Sequence, residues 1–477
     1  DAVANARRHM TFRRALLLIV ALAFVVRVGY VVGAKSETCK IVVAGEVRGS
    51  FGSECLAGDQ YFYSAEANSL ARGDGFVEPF AAILAPGQTP PAADHPPLTV
   101  VVLAPVSWLA DHTPLGDDAD ANVAAQRYAM VLLGTLLVFL VGLLGRRVGG
   151  DTVGLVAAAI AALSPNIWVN DGLVMSETLT MVLTVAVLLA AFAWYDAPTA
   201  RKGVLLGALF ALAGLTRVEL LLLVPLVMAP AVVRRAWAPR DRALRIATSL
   251  GVCALVLAPW VVFNLSRFDE PTFISTNDGL TLAGANCDST YHGEGTGLWV
   301  GRGVARCYGD VPSGLDQSEV SQRLRDIGLD YISAHKSRAV VVAAVRVGRT
   351  WSLFHPADMI DFNKGEGRES WVTRLGLLVY YPTLVAAIGG AVVLVRRRRF
   401  LLLWMVLVPA FVVTIASAVT YGQTRFRVPA EPSLAVLAAV AIVAAWDAFR
   451  RRQVAASTGE PSSSSASETV TSAATGN

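Results

Sequence analysis

The chain has 477 residues, 54% hydrophobic and only 16% charged, with a formal net charge of +4. Soluble domains carry about 25% charged residues. Here apolar runs long enough to cross a bilayer recur along the chain, which excludes a soluble globular protein and predicts an all-α polytopic membrane protein. So small a net charge gives no indication of a nucleic-acid partner.

Taken in order, residues 1–14 form a basic cytoplasmic lead and residues 15–34 a first span. No small-residue cleavage site with suitable flanks follows that span, so it is read as an anchor. Residues 35–122 form the first outer loop. Within it, apolar residues at helical spacing from Asp59 to Arg72 predict a short surface helix, stopped by Gly73-Asp74-Gly75. Pro96 and Pro97 can begin a helix but not sit inside one. The apolar run Leu98–Leu109 is too short to span and is expected at the interface. Residues 123–265 hold spans two to seven, at 123–147, 152–169, 176–194, 203–216, 218–235 and 244–265. Residues 266–374 form a large outer loop with a Gly-rich part, an amphipathic helix Ser318–His335 and an apolar helix Arg338–Phe354. Spans eight to ten follow at 375–395, 400–421 and 428–446, and residues 447–477 form a Ser/Thr/Ala-rich tail expected to be disordered. The expected total is about ten helices with both termini inside.

The basic clusters fit this arrangement. Arg7, Arg8, Arg13 and Arg14, Arg146 and Arg147, Arg201 and Lys202, Arg234–Arg245, Arg396–Arg399 and Arg450–Arg452 all fall on the cytoplasmic side. Cys39 and Cys55 flank the first outer segment, Cys287 and Cys307 lie in the large outer loop, and Cys253 lies within a span. Two outer pairs suggest disulfides Cys39–Cys55 and Cys287–Cys307 in an oxidising compartment, the alternative being free thiols.

Ionisable residues near the outer ends of spans are costly unless paired or used. Asp59, Asp171, Glu177, Arg217, Glu219, Arg425 and Arg427 all fall at that level, and His95 joins them from the first loop. Convergent cations can hold a phosphate leaving group, and a carboxylate can deprotonate an attacking hydroxyl. Each also has a purely structural role open to it. Asp59 suits a helix cap, Glu177 a helix start, Arg217 and Glu219 a local ion pair, and Arg425 and Arg427 snorkelling to the interface. No Cys/His cluster has zinc spacing, and no phosphate-binding glycine loop occurs.

These residues, in this order, resemble the GT-C membrane glycosyltransferases, nearest to the lipid A aminoarabinose transferases, Rgt-like galacturonosyltransferases and protein O-mannosyltransferases. The matching stretches are Asp59-Gln60-Tyr61 with Gly73-Asp74-Gly75, His95-Pro96-Pro97-Leu98, Met175-Ser176-Glu177-Thr178-Leu179, Thr216-Arg217 and Arg425-Phe426-Arg427-Val428-Pro429. They cover residues 13–235 well and 400–446 fairly. Three positions depart from the family pattern: Gln60 stands for a second acid, His95 for a lysine and Phe426 for a tyrosine.

The resemblance implies an integral membrane glycosyltransferase of the bacterial cytoplasmic membrane, with its site on the extracytoplasmic face. It would move a hexosyl or pentosyl group from a polyprenyl-phosphate sugar to a cell-wall glycan, glycolipid or protein by inverting single displacement. Asp59 would be the catalytic base. Arg425, Arg217, His95 and Arg427 would bind the donor phosphate, and Glu177, Tyr61, Tyr63 and Asp171 would contact substrate. Asp59 and Glu177 are of a type that binds Mg²⁺ or Mn²⁺, but no metal ligand is assigned. A transporter or flippase of a lipid-linked saccharide would use the same cavity without chemistry, and a membrane assembly factor would use the outer loops to hold partners.

Overall fold

Helices account for most of the computed structural model, which describes residues 2–35, 39–43, 46–51, 56, 58–80, 87–113, 119–233, 237–301 and 305–458. Seven helices are long and apolar enough to cross a membrane: Thr11–Ala34, Asn122–Gly149, Glu177–Asp196, Pro239–Leu265, Ser370–Arg396, Phe400–Val419 and Thr424–Val454. An eighth crossing is a broken one, Asp151–Leu163 followed by Pro165–Gly172, bent by 60°. Pro165 removes a backbone donor there, and the chain turns at Ser164. The protein is a multi-pass membrane protein.

Among the described residues, seven of the expected ten spans, or eight with the bent pair, are long and apolar enough by themselves. The fifth and sixth expected spans are shorter, yet Ala200–Thr216 still runs the length of the helix Glu177–Asp196, from Lys202 bonded to Ala193 O to Arg217 facing Glu177. The helix Ala200–Thr216 has 17 residues, about 26 Å at 1.5 Å per residue, against about 30 Å of hydrocarbon. Its partner is a 3₁₀ turn, Val218–Leu222, running into the short helix Leu223–Val232. At the N-terminus the expected basic lead is helical, continuous with the first span from Ala2. At the other end the last helix continues to Thr458, so residues 447–458 are helical rather than part of a disordered tail. Residues 459–477 lie outside the described residues.

The helix Glu177–Asp196 is central, with 83% of its apolar window buried. Around it, Ala119–Gly149 packs on Asp151–Leu163, and Ser370–Arg396 packs on Glu431–Thr458. The fully buried Ala157, Ala158, Ala161 and Ala162 form a small-residue stripe that lets the backbones approach closely.

Above the spans lies an outer layer. The helix Asp59–Arg72 forms as expected and packs on Leu98–Asp111 through Tyr61, Phe62, Tyr63, Val100 and Leu103. A short antiparallel hairpin, Cys39–Val43 with Glu46–Phe51, precedes it. In the 266–374 region, Asn277–Ala285 packs on Gln317–Ala334 around Ala283, Tyr308 and Leu324. The expected disulfide Cys287–Cys307 ties this unit together. Cys55 lies outside the described residues, so the expected Cys39–Cys55 bridge does too.

Candidate active site

The site forms where the first outer helix meets the segment before the last span. Asp59 is the first residue of its helix, but Gly58 holds the cap position and no side chain caps there. Its carboxylate is thereby left to other partners. Oδ2 accepts from Arg425 Nη2 at 2.6 Å, and Oδ1 lies 3.6 Å from His95 Nε2. Arg425 also donates through Nη1 to Glu366 Oε1 at 2.8 Å, and its Nε stands 3.7 Å from Glu177 Oε1. One guanidinium therefore joins three carboxylates.

Glu177 in turn faces Arg217, 3.4 Å from Nη1, while Arg217 Nε donates to Glu219 at 2.5 Å. Glu177 Oε2 is buried without a hydrogen-bond partner. Burial by itself raises the Asp59 carboxyl, but Arg425 and then His95 outweigh it and hold the group well below the usual carboxylate range.

Local structure explains these placements. His95 precedes a double proline and stacks on Tyr63 at 5.0 Å, with Phe62 edge-on at 4.7 Å. Its loop is pinned by Thr276 N–H to Ala93 O at 2.8 Å and by Ala93 N–H to Gln317 Oε1 at 2.6 Å. Asn277 Nδ2 lies 3.4 Å from His95 Nδ1. Glu366 is set by the next residue. Gly367 has φ +86°, and a Cβ there would strike Gln60, whose Nε2 donates to Glu366 O at 3.0 Å. Arg425 belongs to the 3₁₀ turn Thr424–Ala430 that runs into Pro429. At about three residues per turn, side chains two apart diverge, which separates Arg425 from Arg427.

Several expected contacts are not brought together here. Arg427 is buried against Glu431 at 2.6 Å, donates to Ser352 Oγ at 2.9 Å and lies over the Tyr380 ring at 3.6 Å. Asp171 is fully buried with Arg27, Oδ2 to Nε 2.6 Å, and accepts from Thr178 at 2.7 Å. A Cβ at Gly134 would overlap this carboxylate, so glycine is required where the second span crosses it. Tyr61 points into the outer core, donating to Pro79 O at 3.2 Å and packing on Phe80. Tyr63, by contrast, borders a cavity through its stack on His95.

Sequence reasoning missed Glu366, Asn277, Trp299 and Tyr421. The run Lys364-Gly365-Glu366-Gly367-Arg368-Glu369, charges between glycines ahead of a span, was the one available signal.

Two cavities meet at this cluster. One, about 910 Å³, is bordered by Asp59, His95, Trp299, Glu366, Tyr421 and Arg425. The other, about 1020 Å³, is bordered by Tyr63, His95, Arg217, Tyr421, Arg425 and Phe426, together with Phe273, Ile415 and Val419. His95, Tyr421 and Arg425 belong to both. Burial, opposed by Arg425 and reinforced by Glu366, pushes the Tyr421 phenol up to about 12, so it is a neutral donor at physiological pH. Among the described residues no group of three or more His, Cys, Asp and Glu is arranged to hold a metal ion. Asp59 and Glu177 instead share Arg425, a fixed cation between them.

No protein-family profile matches the chain, and no curated protein matches it by sequence. Solved structures do match. The archaeal oligosaccharyltransferase AglB from Archaeoglobus fulgidus, in complex with an inhibitory peptide and a dolichol-phosphate, superimposes with a TM-score of 0.54 at 14% identity over 94% of this chain. The same enzyme tethered to an acceptor peptide gives 0.53 at 15% identity over 94% of this chain.

The chain has the GT-C fold.

The likeness covers 52% of AglB, so this chain spans about half the length of that enzyme. ArnT from Cupriavidus metallidurans bound to undecaprenyl phosphate also matches, with a TM-score of 0.38 at 16% identity over 89% of this chain and 77% of that one. Within the GT-C bundle, the Asp59–Arg425 cluster sits at one end of the spans. The Arg396–Arg399 and Arg146–Arg147 clusters follow the opposite ends of the helices concerned.

Proposed function

We propose that this chain is an integral membrane glycosyltransferase that moves a sugar from a polyprenyl-phosphate carrier to a hydroxyl acceptor. The observation that carries the reading is the Asp59–Arg425 pair, a carboxylate and a phosphate-binding type of cation joined at 2.6 Å where two large cavities meet.

The cavity bordered by Arg217 and Arg425 suits the donor. Its wall includes Phe273, Ile415 and Val419, which are 62%, 42% and 61% exposed, so an isoprenoid tail can lie against it from the membrane side. Arg217 and Arg425 are placed to take the phosphate by charge-assisted hydrogen bonds. The cavity bordered by Asp59 suits the acceptor. Asp59 takes the proton of the attacking hydroxyl, the new bond forms at the anomeric carbon, and the bond to the phosphate oxygen breaks with inversion. The polyprenyl phosphate leaves with its charge held by the two arginines.

A low proton affinity makes Asp59 a weak base while Arg425 is bound to it. A phosphate that draws Arg425 away raises that affinity, so donor arrival and base activation are coupled. The Arg clusters at the other ends of the helices support a site on the extracytoplasmic face under the positive-inside rule, and we take the membrane to be a bacterial cytoplasmic one. The fold itself supports a glycosyltransferase by analogy.

The test is the pool of polyprenyl-phosphate sugars, measured by lipid mass spectrometry in cells lacking the protein, carrying wild type, or carrying Asp59→Asn. One sugar-lipid accumulating in both the null and the variant supports the reading and identifies the donor. A variant that clears the species like wild type overturns Asp59 as base and favours transport.

A further inference from the structure

The two cavities differ in their charge. Among the described residues, the Asp59 cavity is bordered by the carboxylates of Glu78, Asp94, Asp316, Asp361 and Glu366 besides Asp59 itself, against Arg425 as the fixed cation. Arg425 is already committed to Asp59 and Glu366. Among the described residues, the other fixed charges of the wall are acidic.

Glu78 accepts from the Phe80 backbone at 3.1 Å and from the Gln317 amide at 2.8 Å, both neutral donors. The same Gln317 nitrogen reaches Asp94 Oδ2 at 2.8 Å, so a single amide bridges the two carboxylates. Asp316 accepts from the backbone of Asp269 and Glu319 and from the Ser318 hydroxyl, all neutral donors. The field of this wall is felt behind it. Glu66, 2% exposed, is held well above the ordinary carboxylate range by burial, then by Asp94 and Glu78, against a smaller downward pull from Arg267.

Aromatic rings complete the lining. Trp299 and Tyr421 lie 6.0 Å apart with planes 31° from parallel, and Phe62, Phe80 and Phe362 border the same space. Carboxylates beside aromatic faces favour an ammonium group, by charge and by cation–π attraction. Carboxylates also accept from vicinal hydroxyls. Among the described residues no strand borders this cavity, so an extended peptide has no sheet edge to pair with.

We propose that the Asp59 cavity takes an acceptor saccharide carrying a free amine, its ammonium seated among the bordering carboxylates, Glu78 and Asp361 among them, and its hydroxyl toward Asp59. This rests on the transferase reading for the identity of the cavity, and the amine preference is a property of the wall itself.

The test uses the full chain in lipid nanodiscs at mildly acidic pH, with tryptophan fluorescence as readout. The probes are a short glucosamine oligosaccharide and its N-acetylated twin of the same length, which differ in charge and not in length. The amine form should bind about tenfold more tightly, and the preference should fall to about threefold or less in Asp361→Asn and in Glu78→Gln. A circular-dichroism melt confirms that each variant is folded, and Asp361→Asn disturbs no hydrogen bond. Equal binding of the two probes, or a preference unchanged in both variants, overturns the proposal. A short Lys-Ser peptide that competes better than the amino sugar overturns the saccharide assignment. Because no turnover is needed, an amine preference that survives while Asp59→Asn leaves the lipid pools at wild-type level separates failure of the transferase reading from failure of this one.

Discussion

Arg425 Nη2 donates to Asp59 Oδ2 at 2.6 Å across 366 residues of chain. The bond ties the first outer helix to the 3₁₀ turn before the last span, and Glu177 and Glu366 close on the same guanidinium. It is at once a clamp between distant segments and the charge pair of the proposed reaction.

Arg425→Gln leaves three carboxylates facing one another. Truncating one partner of a buried pair costs about 3–5 kcal/mol, so the melting temperature in detergent should fall by several degrees. Transfer should fall by at least about 100-fold, the scale of losing one preorganised charge stabiliser. Arg425→Lys keeps the charge but loses the fork that serves Asp59 and Glu366 together, so it should recover stability more than turnover. Equal recovery of both would show that the fork geometry is unimportant.

The depressed Asp59 carboxyl gives a definite pH dependence. A group whose native value lies below its unfolded one adds stability that is fully present above the unfolded value, 3.8, and is lost as pH falls through the native value. The stability gap between wild type and Asp59→Asn should therefore hold constant from neutral pH down to about 4 and narrow below it. A gap that closes between pH 5 and 7 would mean that Arg425 does not hold Asp59 ionised.

Asp171 and Arg27 are both fully buried and paired at 2.6 Å, a geometry that predicts a structural role. Asp171→Asn strands a buried guanidinium and should destabilise by about 3–5 kcal/mol. Replacing both, as Arg27→Met with Asp171→Leu, should restore much of that loss. Donor binding by folded protein, measured with undecaprenyl phosphate, should be unaffected in either variant. A changed affinity would return Asp171 to the substrate site.

Glu219 competes with an incoming phosphate for Arg217, which it binds at 2.5 Å. Glu219→Gln should tighten binding of undecaprenyl phosphate by about two- to fivefold, the scale of one partly exposed ion pair. Weaker binding would mean that Glu219 orients Arg217 rather than occupying it.

Cys287 and Cys307 close a segment with a sequence separation of 20. Cross-links over such loops are worth about 3 kcal/mol. Cys287→Ser with Cys307→Ser should lower the melting temperature, and reductant should have the same effect on wild type and none on the variant.

Much of this protein follows from local chemistry along the chain. Hydrophobic length marks the longer spans and Gly73-Asp74-Gly75 ends the Asp59 helix at Arg72, because each depends on a few neighbouring residues. Length alone is a weaker guide where a turn such as Thr216-Arg217-Val218-Glu219 divides an apolar run into pieces of 17 residues or fewer. Sequence reasoning also groups charges by depth in the membrane, which cannot separate Arg425 from Arg427 or Glu177 from Asp171. Only the tertiary structure decides those pairs. A 3₁₀ turn sends two arginines apart, a glycine at 134 lets Asp171 sink onto Arg27, and Gly367 swings Glu366 to Arg425. Each outcome depends on the direction of a side chain and the partner opposite it, which lies anywhere from 4 residues away, as for Arg427 and Glu431, to 366, as for Asp59 and Arg425.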